Sequence, residues 1–127
     1  MSRHMGTFRV DVKVAHPRTH IGRVIRNALV DTGAALSWFP RNVLESLQAE
    51  RVKTWRFRQA DGTILERWTV AVLVSAGGKT TFDEVVMGEP GDLVLLGARS
   101  LEGLNLRVDP VTMTLVDAGP APAAVAA

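Results

Sequence analysis

The most regular pattern in the chain is an alternation of apolar and polar residues near its start. Phe8, Val10, Val12 and Val14 fall on one face of an extended segment, which is typical of a half-buried β-strand. A proline-containing turn follows, and residues 21–30 predict a strand that returns along the first. The start of the chain therefore predicts two strands joined by a turn.

Short strand-like segments and two helical segments alternate along the rest of the chain. Pro40 precedes Val43, Leu44 and Leu47, which share one face of a predicted helix. A second helix is predicted at residues 98–104, and further strands at residues 52–59, 63–74, 79–88, 92–97, 105–110 and 111–116. Short strands with regular turn signals and one or two short helices predict an all-β fold, either a closed β-barrel or a sandwich.

Two of these strands are joined through Ala60, Asp61 and Gly62. Asp-Gly between two strand-like segments is a strong short-range signal for a β-hairpin. We therefore interpret Asp61 as a turn former rather than as a catalytic group.

Composition narrows the class of protein. The 127 residues, 46% of them hydrophobic and 22% charged, are typical of one soluble globular domain. The chain has no cysteine, which excludes disulfides and thiolate chemistry, and no apolar stretch approaches the roughly 20 residues that span a bilayer. We expect a cytoplasmic protein with no membrane partner and no cofactor.

Charge and histidine content exclude two further classes of site. The net charge is only +2 and is spread along the chain, with a modest local excess at Lys53, Arg56 and Arg58. This pattern does not predict a nucleic-acid partner. His16 and His20 lie four residues apart without further ligands nearby in the sequence, so no metal site is expected.

Two terminal segments are expected to lie outside the folded domain. Residues 1–5 resemble a tag remnant, and their polarity does not predict a signal peptide. Residues 118–127 are rich in alanine and proline and predict a disordered tail. The domain is therefore expected at residues 6–117.

One carboxylate stands inside an apolar stretch. Asp31 follows two apolar residues, and Leu36, Trp38 and Phe39 come soon after it. Burial of a carboxylate costs on the order of several kcal/mol unless it is hydrogen-bonded or held for chemistry. Two interpretations remain at this point: a turn carboxylate that accepts bonds from nearby backbone N–H groups, or a catalytic group.

The stretch around Asp31 is repeated later in the chain. Residues 29–34 align with residues 93–98 with four of the six positions identical, and each copy is followed by a predicted helix. The repeat indicates two related half-units. Asp31 is matched by Leu95, so the second half-unit carries no carboxylate there.

An apolar pair before Asp-Thr-Gly-Ala, and later Leu-Leu-Gly before a short helix, resembles the retropepsin-like aspartic proteases, especially their small bacterial relatives. The resemblance runs from Phe8 to Val116. It implies a retropepsin-like closed β-barrel with one or two short helices and a β-hairpin flap. The site residues that it implies are the catalytic Asp31, the supporting Thr32, Gly33 and Ala34, the flap tip Ala60, Asp61 and Gly62, and a second loop of Leu95, Leu96 and Gly97.

The resemblance also implies a partner. This class of peptide hydrolysis needs two carboxylates that share one proton, and the chain supplies a single Asp-Thr-Gly. The second carboxylate is therefore expected from another copy, across a two-fold axis that brings Asp31 to Asp31. The expected function is that of a homodimeric aspartic endopeptidase acting on a peptide or protein. The alternative is a retropepsin-fold module that dimerises or binds peptide without cleaving it.

The chain departs from the family pattern at one pair of positions. Many viral members carry an acidic residue one position after that of Ala34 and a pairing arginine one position after that of Gly97. Here both residues are alanine, Ala35 and Ala98, and Arg99 lies one position further on. Because both partners are missing together, no unpaired charge is left behind.

Overall fold

The computed structural model describes residues 8–126. The expected tag remnant at residues 1–5 lies outside the described residues, as do residues 6, 7 and 127. The described chain forms β1 (Arg9–Ala15), β2 (Gly22–Val30), β3 (Trp38–Pro40), α1 (Arg41–Ser46), β4 (Glu50–Arg58), β5 (Ile64–Ala76), β6 (Lys79–Gly88), β7 (Leu95–Leu96), α2 (Ala98–Leu104), β8 (Leu106–Asp109) and β9 (Thr114–Asp117). The prediction of an all-β fold with one or two short helices is confirmed.

Seven strands form one sheet in the order β1-β2-β7-β3-β6-β5-β4, and β1 also pairs with β5. The two-residue strand β7 lies parallel to the end of β2, with Leu29 opposite Leu95 and Val30 opposite Leu96. On its other side β7 pairs antiparallel with β3 through Trp38. The chain that leaves β2 must therefore cross the end of β7 before it enters β3.

Two predicted strands are shorter in the structure, and one observed strand is absent from the prediction. The predicted strand at residues 111–116 begins only at Thr114, because residues 110–113 form a turn. The predicted strand at residues 92–97 is reduced to β7, because the segment before it forms a turn in which the Asp92 carboxylate accepts a bond from the Glu89 N–H at 2.8 Å. Strand β3 was not predicted, since Pro40 was interpreted only as the start of a helix. Its pairing with β6 and β7 is a tertiary contact that a three-residue segment does not reveal.

The core is built from alternate residues of the long strands and sealed by the helices. Val70, Val72 and Val74 on β5 are fully buried, as is Val14 on β1. Burial of each such side chain stabilises the fold by about 1.5–3 kcal/mol. Leucines of the two helices complete the core: Leu44, Leu101 and Leu104. This packing fixes β2 and β7, and with them the position of Asp31.

The C-terminal strands form a separate antiparallel pair, β8 with β9. After β9 the backbone N–H of Ala118 donates to the Asn105 carbonyl at 2.9 Å, and the Asn105 side chain donates to the Gly119 carbonyl at 2.8 Å. Residues 118–126 contain no helix or strand. That the tail at residues 118–127 is disordered stays a prediction.

Candidate active site

Asp31 lies directly after the last residue of β2. Its backbone N–H donates to the Leu96 carbonyl at 3.0 Å, which continues the pairing of β2 with β7. The residue is only 7% exposed, and its Oδ1 accepts a hydrogen bond from the Gly33 N–H at 2.9 Å. The carboxylate is therefore held in one orientation at the end of the sheet, by a local contact of the kind that a turn carboxylate makes.

The first loop, residues 31–37, passes very close to the second loop, residues 95–97. A Cβ atom on Gly97 would lie 2.6 Å from the Leu36 carbonyl oxygen and 2.9 Å from that of Ala34. Because both obstacles are backbone atoms, only glycine fits at this position. The sequence-based expectation that Gly97 lets the two loops approach is consistent with this contact.

The start of α2 is also joined to the first loop. The Ala98 N–H donates to the Ala34 carbonyl at 2.8 Å, and the Arg99 N–H donates to the Ala35 carbonyl at 3.0 Å. The first N–H groups of a helix have no partner within the helix, so the first loop satisfies two of them. The Arg99 side chain points elsewhere, with its guanidinium 3.9 Å from Glu84.

A buried serine network, which we define as Ser37, Ser100 and Asp83, lies beneath these loops. The Gly97 N–H donates to Ser37 Oγ at 2.9 Å, the two serine hydroxyls are 2.6 Å apart, and Ser100 donates to Asp83 Oδ2 at 2.7 Å. Both serines are fully buried. The network connects the first loop, α2 and β6 through side chains.

Sequence reasoning missed this network, although a signal was present. Ser37 stands between Leu36 and Trp38, and Ser100 precedes Leu101. A small polar residue inside an apolar stretch is the same kind of signal that singled out Asp31, since a buried hydroxyl needs hydrogen-bond partners. What the sequence does not reveal is that the two serines, 63 residues apart, face each other.

Above the loops lies the cleft, a cavity of about 600 Å³ between the first loop and the β4–β5 hairpin. Asp31 lines the cleft together with Trp38, Trp55 and Phe57, whose rings contact one another. Trp55 Nε1 is buried and has no hydrogen-bond partner among residues 8–126. Three aromatic side chains and two carboxylates, Asp31 and Asp92, are thus among the residues that line the cleft.

The hairpin turn is held by its own side chains. The Asp61 carboxylate accepts bonds from the Thr63 N–H and hydroxyl at 2.9 and 2.7 Å, and Gln59 donates to the same hydroxyl at 2.6 Å. The hydroxyl bond is the main reason that the pKa of Asp61 lies below its ordinary value. This arrangement agrees with Asp61 as a turn former, and Ala60, Asp61 and Gly62 lie beyond the residues that line the cleft.

An ion pair ties the hairpin to the loop that precedes β7. Arg67 on β5 donates through Nε and Nη2 to the two carboxylate oxygens of Asp92, at 2.8 and 3.0 Å. Both side chains are about one-sixth exposed, at 16% and 15%. The hydrogen bond from Arg67 holds the pKa of Asp92 below its ordinary value, and the bond to Asp92 raises that of Arg67.

The loop residues after Asp31 are presented at the surface. Thr32, Gly33 and Ala35 are exposed, while Ala34 is half-buried. Leu95 and Leu96 of the second loop are buried beneath them. The structure therefore brings Asp31, its supporting residues and the second loop together, and places the predicted flap tip apart from them.

The chain matches no protein-family model and no curated protein sequence. Among residues 8–126 no group of three or more His, Cys, Asp or Glu side chains could hold a metal ion. Over the same residues no helix is long and apolar enough to cross a membrane.

Proposed function

We propose that this protein is a retropepsin-like aspartic endopeptidase that hydrolyses peptide bonds as a homodimer. The observation that carries the proposal is the buried Asp31 carboxylate at the floor of a cleft roofed by a β-hairpin. The additional pairing of β1 with β5 supports a closed barrel as the scaffold.

The chemistry follows from two carboxylates that share a proton. One, ionised, accepts a proton from a water molecule whose oxygen attacks the peptide carbonyl carbon. The other, protonated, donates to the carbonyl oxygen as the carbon becomes tetrahedral. The first carboxyl then gives its newly gained proton to the amide nitrogen as the C–N bond breaks. A hydroxyl of the tetrahedral carbon returns its proton to the second carboxylate as the carbonyl re-forms, so the pair again holds one proton.

The cleft of a single chain does not supply such a pair. Asp92 also lines the cleft, but Arg67 holds it as a carboxylate through two hydrogen bonds. Because Arg67 binds both Asp92 oxygens and lowers the pKa of this carboxyl, Asp92 is a poor partner for sharing a proton. The second proton-sharing group is therefore Asp31 of another copy.

Surface features of the chain suit such a dimer. Thr32 and Gly33 are exposed beside Asp31 and are available to a second copy. The β8–β9 pair lies outside the seven-stranded sheet. Each strand of a two-stranded pair has one edge with unpaired backbone groups, and such an edge can pair with a strand of another chain. We place these C-terminal strands at the interface.

The test is cleavage of a peptide library across pH by the unmodified chain and by Asp31→Asn. We expect turnover with a bell-shaped pH dependence from the unmodified chain, because the pair must hold one proton, and none from Asp31→Asn. The matched control is Asp11→Asn. Asp11 also accepts a backbone hydrogen bond, from the Asn27 N–H at 3.1 Å, but at an exposed position on β1 away from the cleft.

Mixing experiments test the shared site. When unmodified chains are mixed with Asp31→Asn chains, activity per unmodified chain should fall in proportion to the unmodified fraction, since mixed dimers are inactive. Mixing with Asp11→Asn chains should instead leave the activity per total chain unchanged, since every dimer is then active. Peptide binding without turnover by the unmodified chain would instead support the non-catalytic binding module.

A further inference from the structure

The hydrogen bonds of the buried serine network run in one direction. Ser100 has one hydroxyl proton and donates it to Asp83 Oδ2. The 2.6 Å contact between the serines must then be a donation from Ser37 to Ser100. Ser37 Oγ is left as an acceptor, and it accepts from the Gly97 N–H at 2.9 Å. The network therefore runs from the second loop to a carboxylate on β6, which is itself held by the Glu84 N–H at 2.8 Å.

Gly97 lies between two residues that are hydrogen-bonded to the first loop. The residue before it, Leu96, accepts the backbone bond of Asp31, and the residue after it, Ala98, donates to the first loop. Gly97 also has no room to move closer, because the Leu36 and Ala34 carbonyls already crowd it. A displacement of Gly97 would therefore displace the backbone that carries Asp31.

Side chains at two nearby positions do not help to join the loops. Positions 35 and 98 are both alanine, and among the described residues the ion pair that Arg99 makes is with Glu84 on β6. We propose that the buried serine network sets the separation of the first and second loops, and that Ser37, Ser100 and Asp83 are positioning residues for Asp31. The effect of this positioning on catalysis rests on the proposed function.

The first experiment does not depend on activity. Exchange of the Gly97 amide hydrogen is measured by NMR in the unliganded protein and in Ser37→Ala, Ser100→Ala and Asp83→Asn. Ser37→Ala removes the acceptor itself, so Gly97 should exchange about tenfold faster. Ser100 is one hydrogen bond away from Ser37, and Asp83 is two hydrogen bonds away. Ser100→Ala should therefore raise the exchange rate of Gly97 less than Ser37→Ala does, and Asp83→Asn should raise it least.

The control is Ser75→Ala. Ser75 and Thr80 also join two hydroxyls, at 2.7 Å, but in an exposed position on the β5–β6 hairpin. This variant should leave Gly97 exchange unchanged. Ser37→Cys keeps the site filled with a weaker acceptor and should give an intermediate rate, which keeps the test available if Ser37→Ala does not fold.

The second experiment measures peptide turnover by the same variants. Misplacement of a reacting group lowers the rate of the chemical step, so kcat should fall about 10- to 100-fold in Ser37→Ala while KM stays within about twofold. Unchanged Gly97 exchange in Ser37→Ala relative to Ser75→Ala would overturn the proposal, as would a kcat that falls only with the folded fraction. If the unmodified chain cleaves no peptide, the proposed function fails, and Gly97 exchange still decides whether the network fixes the loops.

Discussion

The two sides of the cleft are held by opposite kinds of contact: the floor, which is the first loop at residues 31–37, and the roof, which is the β4–β5 hairpin. On the floor, hydrogen bonds of Ser37 reach residues 60 and 63 positions away, and they are buried. At the tip of the roof, bonds among Gln59, Asp61 and Thr63 join residues two or four positions apart, and they are exposed. The floor exists only when the whole fold has assembled, whereas the turn of the roof forms from local sequence.

This difference bears on the proposed function. A hairpin turn held by its own bonds can move without loss of those bonds, which under that function would suit a cover that admits peptide and then excludes water. A floor held by distant parts of the chain keeps its geometry while the roof moves. The Arg67–Asp92 pair is one connection between the hairpin and the rest of the cleft wall, and the contact of Phe57 with Trp38 is another.

The largest expected effect compares a glycine of the floor with a glycine of the roof. Gly97→Ala places a Cβ atom against two backbone carbonyls, so we expect a loss of about 3 kcal/mol or more in the free energy of unfolding. Gly62 has φ of +90° and nothing within 4 Å of an added Cβ. Gly62→Ala should therefore cost only the left-handed backbone strain, about 1–2 kcal/mol. Urea unfolding measures both, and equal losses would contradict the comparison.

The next effect concerns the ion pair between Arg67 of the hairpin and Asp92 of the loop before β7. Asp92→Asn removes the charge that Arg67 binds with two hydrogen bonds, and at neutral pH we expect a loss of about 2 kcal/mol in the free energy of unfolding. The exposed pair of Arg26 with Asp11, whose side chains are 75% and 53% exposed, supplies the control. Asp11→Asn should change stability little.

The same pair predicts a pH dependence. Because the pKa of Asp92 is lowered in the folded protein from its ordinary value of 3.8, the unfolded chain binds a proton more readily. The stabilisation is therefore complete above the ordinary pKa and is lost as pH falls through the lowered one. The stability gap between the unmodified protein and Asp92→Asn should narrow below about pH 4. A gap independent of pH would show that Asp92 acts through packing alone.

The contrast between local and distant contacts also explains what could be predicted from sequence. The hairpin through Ala60–Gly62 and the alternating strands were predicted because their signals lie within a few residues of one another. Asp31 was found because a carboxylate in an apolar stretch is conspicuous. Strand β3 and the link between Ser37 and Ser100 were not predicted, since each exists only through a partner far away in the chain.

A smaller effect is expected at the aromatic wall of the cleft. The buried Trp55 N–H has no partner among residues 8–126, and such a donor costs about 1–3 kcal/mol. We expect a bound peptide carbonyl to accept it. Trp55→Phe should then leave the free protein at least as stable while KM rises several-fold. Trp68 is 40% exposed and packs under Arg51 rather than lining the cleft, so Trp68→Phe should leave KM unchanged. A KM equally unaffected by both changes would contradict this role.

The smallest effect concerns charge at the rim of the cleft. Of the basic residues that flank the hairpin turn, Arg67 is bound to Asp92, and Lys53 lies 3.6 Å from Glu84. Arg58 lines the cleft and forms no ion pair with another residue in the range 8–126. We therefore expect a modest preference, about two- to threefold in kcat/KM, for peptides with an acidic residue at an outer subsite.

Arg58→Gln should abolish this preference, whereas Arg56→Gln, which changes a charge outside the cleft lining, should not. Because an exposed charge is screened over about 8 Å at 0.15 M salt, the preference should weaken as salt rises, and a salt-independent preference would exclude Arg58 as its source.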